Sequence, residues 1–210
     1  MELSSIRTDY SLKTLNINGL KESPMEQFAV WMDEALLAQV TEPNAMNLCT
    51  VGKDLKPSSR IVLLKGMDVG FIFYTNYNSK KGHQLIENPQ ASLTFFWPEL
   101  QRQVRIEGLV EKVNTELSDQ YFHSRPLGSQ IGAWASPQSQ TIPNREFLEE
   151  KEAEAKIRFE KEELKRPDHW GGYRLQPDLV EFWQGRSSRL HDRIVYEKMD
   201  NQWTKKMLAP

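Results

Sequence analysis

A single cysteine, Cys49, excludes an intramolecular disulfide framework and a cysteine-built metal centre. Cys49 lies in the apolar run AMNLCTV, where a small buried thiol is the ordinary role and a nucleophile the rare one. Histidine is also scarce, and the four at 83, 123, 169 and 191 lack ligand spacing and form no HExxH, so no metal set is expected. The fingerprints GxGxxG, GxxxxGK[ST] and GxSxG are all missing. A bound nucleotide would need another kind of cradle, and no serine-hydrolase elbow is present. No apolar run is long enough for a membrane helix, and the opening MELSSIRTDYSLKTLN carries no secretory apolar core. The formal net charge is only -2, which gives no bulk field for nucleic acid. A reducing, cytoplasmic compartment fits these absences.

What is present divides the chain in two: a polar, mobile arm over 1–22 and a single domain over 23–210. Ser23-Pro24-Met25-Glu26 reads as a helix start, with Ser as cap, Pro in the first turn and Glu placed for a capping box. Phe28, Trp31, Met32, Ala35, Leu36 and Val40 follow at helical spacing, and Pro43 is expected to close the helix. Between 45 and 113 the pattern turns to short β-branched and aromatic runs: AMNLCTV, SRIVLLK, GFIFYTN, ASLTFFW and QVRIEGLVEKV. A helix over 79–88 interrupts them. Further helices are expected at 115–123, 127–134 and 144–165, the last mostly charged and solvated. GGYRL, LVEFWQ, RIVYEK and QWTKKML then return to strands. This order predicts a mainly β, mostly antiparallel barrel with peripheral helices rather than a doubly wound sheet.

Four stretches carry chemistry. In LVEFWQGRSSRLHDR an extended backbone would put Arg189, His191 and Arg193 on one face and Leu190 and Asp192 on the other. Two guanidiniums and an imidazole repel one another unless an anionic or electron-rich ligand lies among them. Exposed arginines neutralised by Asp192 or nearby acids are the bland alternative. Ser79-Lys80-Lys81 places two ammonium groups against the positive end of a helix, an arrangement that a phosphate there would relieve, although exposed lysines are common. In SSRIVLLK, Arg60 and Lys65 are set on opposite faces by strand alternation, so at least one should enter a site or an interface unless each snorkels from its strand end. In YFHSRPLGSQ, Tyr121, Arg125 and Ser129 recur every four residues, a spacing suited to clamping phosphate, with a break at Pro126; Gln138 and Ser139 follow in a loop. His123 has no arguable partner and is read as structural. Phosphate-type sites, aromatics and no nucleophile together suit chemistry carried by a bound cofactor.

VEFWQGRSSRLHDR at 180–193 resembles the signature of the pyridoxine/pyridoxamine 5′-phosphate oxidase family. RTDY, RIVLLK, FYTN followed by SKK, RQVRIEG, YFHSRP, SQIGAWAS, QS, WGGYR and the terminal LAP resemble the same family in the same order, over essentially the whole chain. The resemblance implies an FMN-binding split β-barrel and a homodimer with FMN at the subunit interface. It implies flavin contacts from Arg60, Ile61, Val62, Leu63, Leu64, Lys65, Tyr74, Thr75, Lys80, Lys81, Gln103, Gln138, Ser139, Trp183 and Arg193. Lys65, Tyr121, Arg125 and Ser129 would hold the substrate phosphate. Arg189 and His191 would flank the pyridine ring as the catalytic pair, with Leu190 between them, and Arg7 and Tyr10 would close over it. Lys80 departs from the arginine often found there, losing a bidentate fork.

The implied reaction oxidises pyridoxine 5′-phosphate and pyridoxamine 5′-phosphate to pyridoxal 5′-phosphate, with O2 as electron acceptor and H2O2 as product. Two alternatives stay open: a non-catalytic carrier of FMN or pyridoxal 5′-phosphate, and a related flavin oxidase of another ring system such as a phenazine precursor. Scattered aromatics and the acidic balance disfavour a nucleic-acid binder.

Overall fold

The computed structural model describes residues 2–5 and 8–210. Nine strands form a single sheet. The order of elements is α1 (Pro24–Leu37), β1 (Ala45–Val51), β2 (Pro57–Leu63), β3 (Gly66–Met67), β4 (Phe71–Asn76), α2 (Lys80–Glu87), β5 (Gln90–Trp97) and β6 (Arg102–Lys112). Then come α3 (Thr115–Ser124), α4 (Leu127–Ala135), α5 (Glu146–Phe159), β7 (Trp170–Gln184), β8 (Asp192–Met199) and β9 (Gln202–Leu208). The strands run β2-β1-β5-β6-β7-β4-β3, and β8 and β9 branch off β7. All pairings are antiparallel.

β7 is the spine. It pairs with β6 on one edge, while its other edge serves β4 through Trp170–Leu175 and β8 through Leu179–Gln184. The sheet divides at the residues between, where Pro177 stands beside a register shift at Glu107/Gly108 of β6. A proline has no N–H for a ladder and is tolerated at such a bulge. A Cβ on Gly108 would lie 2.0 Å from the carbonyl oxygen of Gln176, so only glycine allows this approach. The two runs GGYRL and LVEFWQ, expected as separate strands, are thus one bent strand of 15 residues.

α1 packs across β4, β5 and β7 on one side of the sheet. Ser23 caps it by accepting from the Met25 N–H at 3.2 Å, with Pro24 in the first turn. Phe28 packs edge-on against Phe71 and tilted against Phe95, and Trp31 meets Phe182 edge-on. All five rings are almost fully buried. Truncating Phe28 or Trp31 to Ala would remove roughly 3–5 kcal/mol of stability. The helix stops at Leu37, well before Pro43. Gln39 takes the left-handed region (φ 54°), its N–H donates to Leu36, and the Val40 N–H donates to Ala35. This is a Schellman closure without the usual glycine, so the sequence does not signal it. Val40 is buried as that motif's hydrophobic contact, not as a helical residue. α5 is likewise shorter than the expected 144–165.

Candidate active site

β2, β4, the start of α2, and the α3–α4 corner enclose a cavity of about 560 Å³. Arg60, Lys65, Lys81 and Arg125 line it, and no carboxylate does. Several arginines elsewhere are paired with acids: Arg102 with Glu34, Arg166 with Asp119, Arg174 with Asp68 and Glu111. Four cations around one cavity without an acid define an anion site.

Each cation is placed by a local feature. Arg60 and Lys65 both reach the cavity and are not on opposite faces as alternation placed them, because β2 ends at Leu63 and Lys65 lies beyond the pleat. Arg60 donates to the Thr50 hydroxyl at 2.6 Å and the Ser58 hydroxyl at 2.9 Å, and burial lowers its pKa. Lys81 is buried at the head of α2 and donates to Thr75 at 2.9 Å and Gln138 at 3.1 Å, both neutral. Burial, then Arg60, pull its pKa down to about 8. Lys80 is exposed and does not line the cavity, so α2 contributes one ammonium rather than two. The helix can start there because residue 82 is glycine: a Cβ would meet the Tyr77 carbonyl at 2.0 Å.

The α3–α4 corner keeps the expected break. α3 ends at Ser124, Arg125 is extended before Pro126, and α4 opens at Leu127. Tyr121, Arg125 and Ser129 nevertheless all face the cavity. Tyr121 stacks on Tyr74 with centroids 3.9 Å apart, and the Arg125 guanidinium lies 4.6 Å from the Trp170 ring centre. Arg125 Nη1 is buried with no hydrogen-bond partner. A buried, uncompensated donor beside a phenol and a hydroxyl is chemically suited to an anionic oxygen. Ile61, Val62, Leu63, Tyr74, Thr75 and Gln138 complete the expected lining. Leu64 turns inward against the core, and Ser139 adjoins Gln138 in a left-handed turn (φ 73°).

The remaining expected residues lie elsewhere. A second cavity of about 230 Å³ is lined by Thr8, Asp9, Tyr10, Arg186, Ser188, Arg189 and His191, and shares no lining residue with the first. The extended geometry expected for Arg189, His191 and Arg193 is not what forms. Ser188 (φ 56°) and Arg189 (φ 64°) make a turn, and strand β8 begins only at Asp192. Arg189 and His191 therefore face the small cavity, while Arg193 joins the sheet. There Arg193 donates to both oxygens of Glu181, at 2.8 and 3.0 Å, and to the Ala209 carbonyl at 2.9 Å. Glu181 also accepts from Arg105 at 2.8 Å. Burial pushes the Glu181 carboxyl up, but its two arginines outweigh this and hold it below its ordinary range.

His191 packs 4.5 Å from the Trp183 ring, and Tyr10 meets Trp183 edge-on at 5.8 Å. Gly185 makes room for this: a Cβ there would lie 2.8 Å from the Tyr10 side chain. The Ser11 and Leu12 N–H groups donate to Gln101 Oε1, and the Leu15 N–H donates to Asp192 at 2.8 Å. Leu190 is largely exposed. Arg7 lies outside the described residues. Gln101, Glu181 and Arg186 were missed by sequence reasoning, which named Asp192 only as a possible neutraliser of the arginines. Their partners are remote in the chain, or in Arg186's case created by a turn, so no local spacing signals them.

Gln103 pairs with both Phe96 and Trp183, and Arg193 with both Trp183 and Leu208, so one row crosses the sheet as Phe96–Gln103–Trp183–Arg193–Leu208. Phe96 is 54% exposed, and Ile61 on the edge strand 66%.

Curled sheet and covering helix define a split-barrel fold. A pyridoxamine 5′-phosphate oxidase-related, FMN-binding protein of Nostoc punctiforme has the same fold, at 16% identity and a TM-score of 0.72 over 91% of this chain and all of that one. The chain belongs to the pyridoxamine 5′-phosphate oxidase family: residues 32–158 match the model of that name, and 170–210 match that of the pyridoxine 5′-phosphate oxidase C-terminal dimerisation region. It is 59% identical to the pyridoxine/pyridoxamine 5′-phosphate oxidase of Bordetella petrii over 93% of each chain, and 55% to that of Ralstonia pickettii over 99% of each. PhzG of Burkholderia lata, solved with tetrahydrophenazine-1-carboxylic acid, superposes with a TM-score of 0.90 at 31% identity, over 97% of this chain and all of that one.

Proposed function

We propose that the protein is an FMN-dependent oxidase that converts pyridoxine 5′-phosphate and pyridoxamine 5′-phosphate to pyridoxal 5′-phosphate. O2 is the electron acceptor and H2O2 the product; the amine substrate also consumes water and releases ammonia. The observation that carries this reading is the acid-free set Arg60, Lys65, Lys81 and Arg125 around one cavity. It suits two phosphate groups, one of cofactor and one of substrate. FMN fits the donors present: Arg60 and Lys81 would hold its phosphate, with Thr75 and Gln138 as neutral partners. When bound, it supplies the two-electron acceptor that no side chain of this chain provides. Lys65, Tyr121, Arg125 and Ser129 would anchor the substrate phosphate. Arg189 and His191 would position the pyridine ring and stabilise charge on it.

The two halves of this site lie towards opposite ends of β7. Trp170 walls the cation cavity and Trp183 packs on His191, about 40 Å apart along the strand at ~3.3 Å per residue. A homodimer unites them by laying the Trp183 row of one copy against the cavity of the other. The exposed Phe96 and Ile61, and the dimerisation-region match over 170–210, support that assembly. The arm with Arg7 and Tyr10 closes over the ring. No helix among the described residues is long and apolar enough to cross a membrane, and we place the enzyme in the cytoplasm.

The test is aerobic incubation of FMN-loaded protein with each phosphorylated substrate, following aldehyde and peroxide together. Equal yields of both products from pyridoxine 5′-phosphate, with unphosphorylated pyridoxine inert, are expected. A yellow protein that makes neither product from either substrate would refute the oxidase and leave a carrier, or an oxidase of another ring as PhzG's ligand suggests. Arg189→Ala should lower turnover while FMN is retained; loss of FMN with normal turnover of the loaded fraction would remove Arg189 from the chemistry.

A further inference from the structure

The second cavity holds a histidine whose two nitrogens are not equivalent. His191 Nδ1 accepts a hydrogen bond from the Arg186 backbone N–H at 3.1 Å. An imidazole nitrogen that accepts carries no proton, so the proton of the neutral ring lies on Nε2. Protonating Nδ1 would set two N–H groups against each other. The Arg186 backbone is held in turn: its guanidinium donates to Asp192 Oδ2 at 2.9 Å, and the same oxygen accepts the Leu15 N–H at 2.8 Å. One carboxylate oxygen thus ties together the 185–189 turn and the N-terminal arm, whose Tyr10 covers His191.

We infer that Asp192 is a positioning residue that couples closure of the arm to the tautomer of His191, making His191 a fixed Nε2–H donor to the substrate and not a base. This deepens the oxidase reading above and rests on it only where turnover is concerned. His191 cannot take a proton at Nε2, which already has one, or at Nδ1 without breaking the Arg186 contact. The groups facing the ring are Arg186, Arg189 and Asp192 on its own segment, Asp9 and Tyr10 on the arm and Trp183 on β7. Burial and then Arg189 hold the imidazole below its ordinary range, while Asp192 alone pulls it upward. The neutral donor form therefore prevails at neutral pH, and activity is expected to fall only on the acid side as His191 protonates.

The experiment uses the full FMN-loaded protein labelled with ¹⁵N-histidine, with His191→Asn identifying the signal. Long-range proton–nitrogen correlation should show Nε2 protonated and Nδ1 bare. Asp192→Asn keeps the shape but loses the ion pair. It should mix the two tautomers, speed Leu15 amide exchange at least about tenfold, and move the acid limb of kcat/KM to lower pH, because the charge that raised His191 is gone. A merely structural defect would lower activity without moving that limb. Wild-type protein with the proton on Nδ1 would overturn the inference, as would Asp192→Asn leaving tautomer, Leu15 exchange and acid limb unchanged. Tautomer and exchange need no turnover. An inactive protein with the expected tautomer would defeat the oxidase reading and leave the coupling standing.

Discussion

Two clusters of cations stand in this molecule, and they differ in one respect. On the sheet, Arg105 and Arg193 share Glu181, and Glu107 contacts Arg105, so two positive charges meet two negative ones. Around the large cavity Arg60, Lys65, Lys81 and Arg125 meet none. The first cluster is complete within the protomer and acts as structure. The second is destabilising alone and, on the proposed reading, would be completed by an anion. Arginine content does not separate the two; the position of the acids does.

The largest effect that would sharpen this contrast is on Glu181. Its side chain is 3% exposed, and Glu181→Ala would strand two arginines. Unfolding free energy should drop by about 3 kcal/mol, read by urea denaturation. A change under about 1 kcal/mol would break the comparison, since the sheet cluster would then not depend on its acid. Arg125→Ala should do the opposite: little loss of stability, but KM for pyridoxine 5′-phosphate raised about 10- to 100-fold with kcat nearly kept, because a charge-assisted contact to an unreacting phosphate is lost. Equal losses in kcat and kcat/KM would instead give Arg125 a role at the reacting carbon.

Lys81 offers a test by pH. Its folded pKa of about 8 lies below its ordinary 10.5, so the unfolded chain binds more protons between those values. FMN-free protein should therefore gain stability from Lys81 as pH rises through that window, and Lys81→Met should flatten the gain. Added FMN should also flatten it by holding the ammonium charged. A rise that persists in Lys81→Met would assign the effect to another group. The smallest effect expected is from Lys80→Arg. Because Lys80 is exposed, FMN affinity measured by fluorescence quenching should tighten less than about threefold.

Much of the scaffold could be read from the chain because its signals are local. Ser23 and Pro24 start α1, β-branched runs make β1 and β5, and Pro126 breaks the helices at Arg125. The phosphate-clamp spacing of Tyr121, Arg125 and Ser129 survives that break, because both helices turn the same corner into the cavity. Where local reasoning failed, a distant or unusual backbone decided. The RLHDR segment looked extended, yet Ser188 and Arg189 adopt left-handed angles without a glycine and divert Arg193 to Glu181. The arm's anchors at Gln101 and Asp192 lie some 90 and 177 residues away from their donors, beyond any periodicity.

The length of β7 has a genetic consequence. Because one strand carries Trp170 at one end and Trp183 at the other, each site of the proposed dimer draws its two halves from different copies. Arg125→Ala and Arg189→Ala then injure opposite walls. Unfolded and refolded together, two crippled proteins would form mixed pairs in which one site inherits both injuries and the other inherits none. About half the pairs would be mixed, each with one sound site, restoring roughly a quarter of wild-type activity from two weak parents.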